Sequence, residues 1–103
     1  MSDQVAIIVT TKTRPGNREE VRELYEELLA PRAVENDDQK VVVWCDDQQD
    51  DDTFHLFEMY RDMAAMGANA HATWFAEHMA RVGPLLAGEP AVAMLTPRWS
   101  TGV

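Results

Sequence analysis

A chain of 103 residues has room for one domain, because two would each fall below the size at which a core sustains itself. With 46% hydrophobic and 26% charged residues it is composed as a globular protein and not a disordered one, and its net charge of −9 disfavours nucleic acid and anionic membrane surfaces, which call for clustered Lys and Arg. The single cysteine, Cys45, excludes an intrachain disulfide and a cysteine-based zinc site. No apolar run approaches the roughly 20 residues of a membrane-spanning helix, and Met1-Ser2-Asp3-Gln4 lacks the basic-then-apolar layout of a secretory leader. The expectation is one domain over residues 1–103 in the cytoplasm, with its core over 5–97 and a short tail over 98–103.

Val5 to Thr13 is short and β-branched, which predicts a strand, and Pro15-Gly16 ends it with a turn. Asn17, with Glu20 three residues on, has the layout of a capping box. The stripe Val21, Leu24, Tyr25, Leu28, Leu29 then predicts an amphipathic helix, with Pro31 near its end. After the polar stretch Glu35-Asn36-Asp37-Asp38 come a second strand, Lys40 to Cys45, an acidic loop over Asp46 to Asp52, and a third strand, Thr53 to Arg61. The loop lacks the glycine and terminal glutamate of a calcium-binding EF-hand loop and reads as a solvated hairpin tip. Asp62 to Asn69 reads as a short connection containing Gly67, irregular or one helical turn, and Ala70 to Leu86 as a second long helix, bent or ended by Gly83-Pro84. Its expected buried set is His71, Trp74, Phe75, His78, Met79, Val82 and Leu85 or Leu86. A last strand, Ala91 to Thr96, lies between Pro90 and Pro97. The order β-α-β-β-α-β predicts an α+β, ferredoxin-like fold, an antiparallel sheet with both helices on one face.

A sheet with one wet face alternates apolar and polar residues, and these strands do not. Phe54, Leu56, Glu58 and Tyr60 share one face of the third strand, while His55, Phe57 and Met59 share the other. Val41 and Val43 oppose Val42 and Trp44, and Val5, Ile7 and Val9 oppose Ala6 and Ile8. Two helices cover one face only, so the other calls for a second copy packed sheet to sheet about a two-fold axis.

The opening strand followed by Arg14-Pro15-Gly16, then Phe54-His55-Leu56-Phe57-Glu58-Met59-Tyr60, then Asp62 and Ala65, resembles the antibiotic biosynthesis monooxygenase family over roughly residues 5–97. The third strand is similar to that family's Phe-x-hydrophobic-Tyr-Glu-x-Tyr/Trp pattern. The resemblance implies a dimeric α+β barrel. It also implies oxygenation of a small or polycyclic aromatic, of anthrone or hydroquinone type, by dioxygen with no flavin, haem or metal. There are departures. Asn36 to Lys40 stands where the family often has Pro-Gly-Cys, and two positions where many relatives carry His fall, counting from Tyr60, on Asn69 and Trp74. Some aromatic-polyketide oxygenases of the family use an Asn and a Trp in this region; an insertion in the count would make His71 the family histidine instead.

On this resemblance Asn69, His71 and Trp74 are the candidate catalytic residues, and Tyr60, Phe75 and His78 the candidate substrate-binding residues. Each has a plainer reading beside it. Asn69 is a hydrogen-bond donor to a substrate oxygen or the N-cap of the second helix. Trp74 stacks on an aromatic substrate or packs in the core. His71 is a base or donor, or a surface histidine, and His78 is structural or part of the pocket. Glu58, among apolar strand residues, needs a partner for its carboxylate or acts as a base of raised pKa; His55 takes a cross-strand partner. Two other functions stay open on the same fold: a haem-binding or haem-degrading relative with a histidine on iron, and a non-catalytic dimeric ligand-binding domain.

Overall fold

A computed structural model describes residues 3–103. Met1 and Ser2, part of the N-terminal stretch read above for a leader, lie outside the described residues. The strands are β1 (Val5–Lys12), β2 (Gln39–Asp46), β3 (Thr53–Tyr60) and β4 (Ala91–Leu95). The helices are α1 (Arg18–Leu28), α2 (Ala30–Glu35), α3 (Met63–Ala70) and α4 (Thr73–Val82), with a 3₁₀ turn over Gly83–Leu85. All strand pairs are antiparallel, in the order β2-β3-β1-β4. This is the predicted ferredoxin-like α+β architecture.

Four local predictions change. Pro31, expected near the end of the first helix, instead lies in the first turn of a separate short helix, α2, where a missing N–H and a fixed φ are harmless. The connection after Arg61 is the full helix α3, capped by Asp62, whose carboxylate accepts the Ala65 N–H. The second long helix does not begin at Ala70. Ala72 is extended, at φ −70° and ψ 144°, and separates α3 from α4. His71 closes α3 by donating its backbone N–H to Gly67 O, while its ring Nδ1 lies 2.8 Å from the same oxygen. Asn69 therefore sits in the last turn of α3 and is not a helix N-cap. The Asn17–Glu20 pair joins side chain to side chain at 3.3 Å, with no side-chain bond to the helix backbone.

The core lies between α1, α4 and the sheet: Val21, Tyr25, Phe54, Leu56 and Val82 are buried together, with Trp44 and Met79 packed against them. Trp44 stacks on Phe54 with ring centroids 3.8 Å apart. Of the set expected inside the second helix, His78 and Val82 are buried, Trp74, Phe75 and Met79 are half-buried, and His71 is exposed.

The helices leave β4 uncovered. The register Val9↔Val92 and Ile7↔Met94 puts Val92 and Met94 on the helix side, yet they remain 58% and 51% exposed. The opposite sheet face carries Ile8, Val41 and Phe57 half-buried and Val43 and Leu95 exposed, the apolar surface the strand patterns predict. On it His55 takes the expected cross-strand partner, Thr10, at 3.0 Å, and also Asp47 at 2.8 Å.

The acidic loop is built from its own carboxylates. Asp47 accepts the N–H groups of Gln49 and Asp50, Asp50 accepts that of Asp52, and Asp52 accepts that of Gly16. Arg18 Nη1 donates to the carbonyls of Asp47, Asp50 and Thr53 at 3.1–3.2 Å, tying α1 to the base of the hairpin.

Candidate functional site

A cavity of about 590 Å³ lies between the helices and the sheet, within the ordinary size range of small-molecule sites. Its walls are largely apolar: Ile7, Val9, Leu56, Val92 and Met94 from the strands, Leu29 after α1, and Met66, Trp74, Phe75 and Met79 from α3 and α4. Of the six residues singled out from sequence, Tyr60, Asn69, Trp74, Phe75 and His78 all line it. His71 does not; it is exposed at the end of α3.

The polar groups gather around Glu58. Tyr60 donates its hydroxyl proton to Glu58 Oε1 at 2.6 Å, and Gln39 Nε2 donates to the same oxygen at 3.0 Å. Gln39 Nε2 also reaches the Tyr60 hydroxyl oxygen at 3.1 Å. Asn69 Nδ2 donates to that hydroxyl oxygen and to Gln39 Oε1, both at 3.2 Å, and Asn36 Nδ2 donates to Asn69 Oδ1 at 3.2 Å. The donors thus run in one direction, Asn36 to Asn69 to Tyr60 to Glu58, and end on a carboxylate.

Gln39 and Asn36 are the members that sequence reading missed. Strict alternation from Val42 and Trp44 would point Gln39 away from the helices. A bulge at Lys40, where the register shifts between Gln39 and Val41, restores Gln39 to the cavity side opposite Tyr60. A bulge of this kind leaves no signature in the residues 39–44 themselves. Asn36 is brought in as the C-cap of α2, an element absent from the sequence reading.

Burial pushes the Glu58 carboxyl above the ordinary carboxylate range, against the lowering effect of the bonds from Tyr60 and Gln39. Burial, and then the charge of Glu58, push the Tyr60 and Tyr25 hydroxyls up, so both phenols stay protonated. The His78 imidazole is pushed down by burial and then by Arg81. Its Nδ1 is buried with no hydrogen-bond partner among the described residues, and its ring meets Tyr25 edge-on at 6.2 Å. The Arg32 guanidinium lies over the Trp74 ring, 5.6 Å from its centroid, a cation–π contact beside the cavity wall. Among the described residues no three His, Cys, Asp or Glu side chains are grouped to hold a metal ion, and no helix is long and apolar enough to cross a membrane.

The model of the antibiotic biosynthesis monooxygenase family matches residues 4–81, which include every strand and helix of this site except the end of α4 and β4. The chain belongs to that family. A Mycobacterium tuberculosis relative in the family's fold, named "Putative monooxygenase Rv0793", is 28% identical over 97 residues, 94% of each chain. The solved structure of Rv0793 superposes with a TM-score of 0.81 at 27% identity, covering 96% of this chain and 99% of that one. An antibiotic biosynthesis monooxygenase homologue from Caulobacter crescentus reaches a TM-score of 0.88 at 19% identity, covering 95% of this chain and 92% of that one. One from Nitrosomonas europaea also reaches 0.88, at 14% identity and 99% and 97% coverage. The last two show the shared fold, and together with the family match they bear out the ferredoxin-like architecture predicted from the strand and helix order.

Proposed function

We propose that the protein is a cofactor-independent monooxygenase that oxidises a small or polycyclic aromatic of anthrone or hydroquinone type with dioxygen. The observation that carries this reading is a largely apolar chamber with aromatic side chains on its walls and a compact group of hydrogen-bonded polar residues at Glu58. Such a reaction removes a proton from an electron-rich ring system and keeps the resulting anion away from bulk water while dioxygen reacts. For an anthrone, the central methylene gives up both hydrogens. One oxygen atom becomes the new carbonyl oxygen, the other leaves as water, and the substrate supplies all the electrons.

In this reading Trp74 and Phe75 form the stacking wall, Tyr60 and Asn69 organise the polar end, and His78 flanks the chamber beside Tyr25. His71 makes no contact with the chamber and takes no part in it. The test is oxygen uptake with anthrone and a naphthohydroquinone in chelator-treated buffer. Uptake that persists with chelator and falls at least tenfold in kcat/KM on Trp74→Ala supports the proposal. No uptake across the panel, or uptake abolished by chelation, overturns it.

The proposal includes a homodimer formed sheet to sheet. Its support is the face without helices, where Val43 and Leu95 are 45% and 40% exposed beside half-buried Ile8, Val41 and Phe57. Sedimentation at micromolar concentration is expected to give twice the chain mass of 11.6 kDa; a single species at the chain mass contradicts it.

A further inference from the structure

Counting the hydrogen bonds around Glu58 separates residues that can act on a ligand from residues that cannot. Asn69 has two Nδ2 protons, and both are taken, by the Tyr60 hydroxyl and by Gln39 Oε1. The one Tyr60 proton goes to Glu58 Oε1. Both bonds to the carboxylate fall on Oε1. Oε2 accepts none among the described residues, and neither does the hydroxyl of Tyr25, although both side chains line the cavity. Within this group the atoms left for a ligand are therefore an acceptor oxygen on Glu58 and the phenol of Tyr25; His78 Nδ1 is a further partnerless atom on the cavity lining.

We propose that Glu58 is the catalytic base of this site, taking through Oε2 the proton of a phenolic or enolic hydroxyl on the aromatic ligand, and that Gln39, Tyr60, Asn69 and Asn36 are positioning residues that hold Oε1. The step rests on the aromatic-oxygenase reading above for its substrate class. The ligand O–H bond breaks, an O–H bond forms at Oε2, and the negative charge moves from the carboxylate to the ligand oxygen and its ring. An anthrone enters this step through its enol tautomer, and a hydroquinone enters it directly. The Tyr25 hydroxyl, held protonated, then donates to the oxygen on which the charge has arrived.

Geometry and environment agree. A base surrounded by apolar walls is poised closer to a phenol in proton affinity than a solvated carboxylate is. With Oε1 fixed by two donors, the remaining lone pairs of Oε2 are held in one orientation, which is what a positioned base requires. The other titratable groups around the chamber are Tyr25 from α1, Tyr60 from β3, His78 from α4 and Glu89 ahead of β4. His78 is the histidine of this lining and the alternative base, so the test separates it from Glu58.

The experiment has a binding arm and a rate arm. In the first, indole fluorescence quenching measures 2-naphthol and its methyl ether, 2-methoxynaphthalene, against the wild type and Glu58→Gln. The amide is the same size and can still accept from Tyr60 and Gln39. The wild type is expected to prefer the naphthol by about tenfold, as for one hydrogen bond to a charged group, and the variant to lose that preference while keeping the ether's affinity. In the second arm, kcat/KM for anthrone oxidation is followed against pH. Glu58→Gln is expected to lower the plateau about 10²–10⁴-fold, the usual worth of a general base. It is also expected to replace the acid limb by a rate rising with hydroxide, whereas His78→Asn keeps the limb. Equal binding of naphthol and ether by the wild type, or an acid limb that survives in Glu58→Gln, overturns the assignment and leaves the aromatic chamber standing. Binding of neither ligand overturns both.

Discussion

The bond from Tyr60 to Glu58 can be weighed by removing each end. Tyr60→Phe deletes the hydroxyl that donates at 2.6 Å to a half-buried carboxylate. It also removes the acceptor for Gln39 and Asn69, but each of those amides keeps another partner, Glu58 Oε1 for Gln39 and Gln39 Oε1 for Asn69. One N–H of each amide loses its acceptor, so the cost is at least that of one hydrogen bond to a charged group, about 1.5–3 kcal/mol, and the amide losses cancel in the cycle because they occur in both backgrounds. In a Glu58→Gln background the same deletion removes a bond between neutral groups, worth about 0.5–1.5 kcal/mol. The double-mutant cycle therefore predicts a coupling of about 1 kcal/mol or more at pH 8. With a urea m-value of about 1–1.5 kcal/mol/M for a chain of this size, Tyr60→Phe alone lowers the midpoint by roughly 1–3 M. The bond favours the ionised carboxylate, so its contribution is present at high pH and shrinks as pH falls and Glu58 takes up a proton. Urea titrations of the four proteins at pH 8 and pH 4 test this. A coupling of zero at pH 8, or one that grows on acidification, refutes the reasoning that the phenol supports a charge.

Glu58 itself should cost stability when ionised, because burial holds its folded-state pKa above the ordinary value of 4.5. Between those two values the native state binds more protons than the unfolded chain, so stability falls as pH rises through that window. Glu58→Gln should therefore melt higher than the wild type at pH 8, with the gap closing as pH approaches 4.5; a gap that widens toward acid contradicts this. Arg18→Lys keeps a cation but loses a planar group that reaches three carbonyls. It should cost about 1–2 kcal/mol and speed amide exchange in the 46–52 loop, and unchanged exchange there would show that the loop's own carboxylates suffice.

The sequence carried the architecture because its signals were strong and local. β-branched runs at residues 5–13 and 40–45 and the 21-24-25-28-29 stripe each admit one element type, and their order leaves few topologies. The one-face grouping of Phe54, Leu56, Glu58 and Tyr60 is fixed by the two-residue period of a strand, and the cavity follows from it. What escaped depends on backbone events that no residue announces. The bulge at Lys40 turned Gln39 inward, and extended Ala72 broke one helix into two and moved Asn69 from a helix start to a helix end beside Tyr60. His71, two residues on from Asn69, is carried outward by the same break. Glu58 was visible as a carboxylate among apolar neighbours, but which of its oxygens is free is a property of the assembled network alone.

That an enclosed aromatic ligand is oxygenated directly by dioxygen is tested most directly with isotope. Anthrone is turned over by the purified protein under heavy-oxygen gas in ordinary water, and the quinone is analysed by mass spectrometry. The account predicts one heavy oxygen atom in each product molecule, with the rate strongly reduced in Glu58→Gln. A product whose new oxygen comes from water, or a heavy-oxygen yield no greater than that of anthrone in buffer alone, would contradict it.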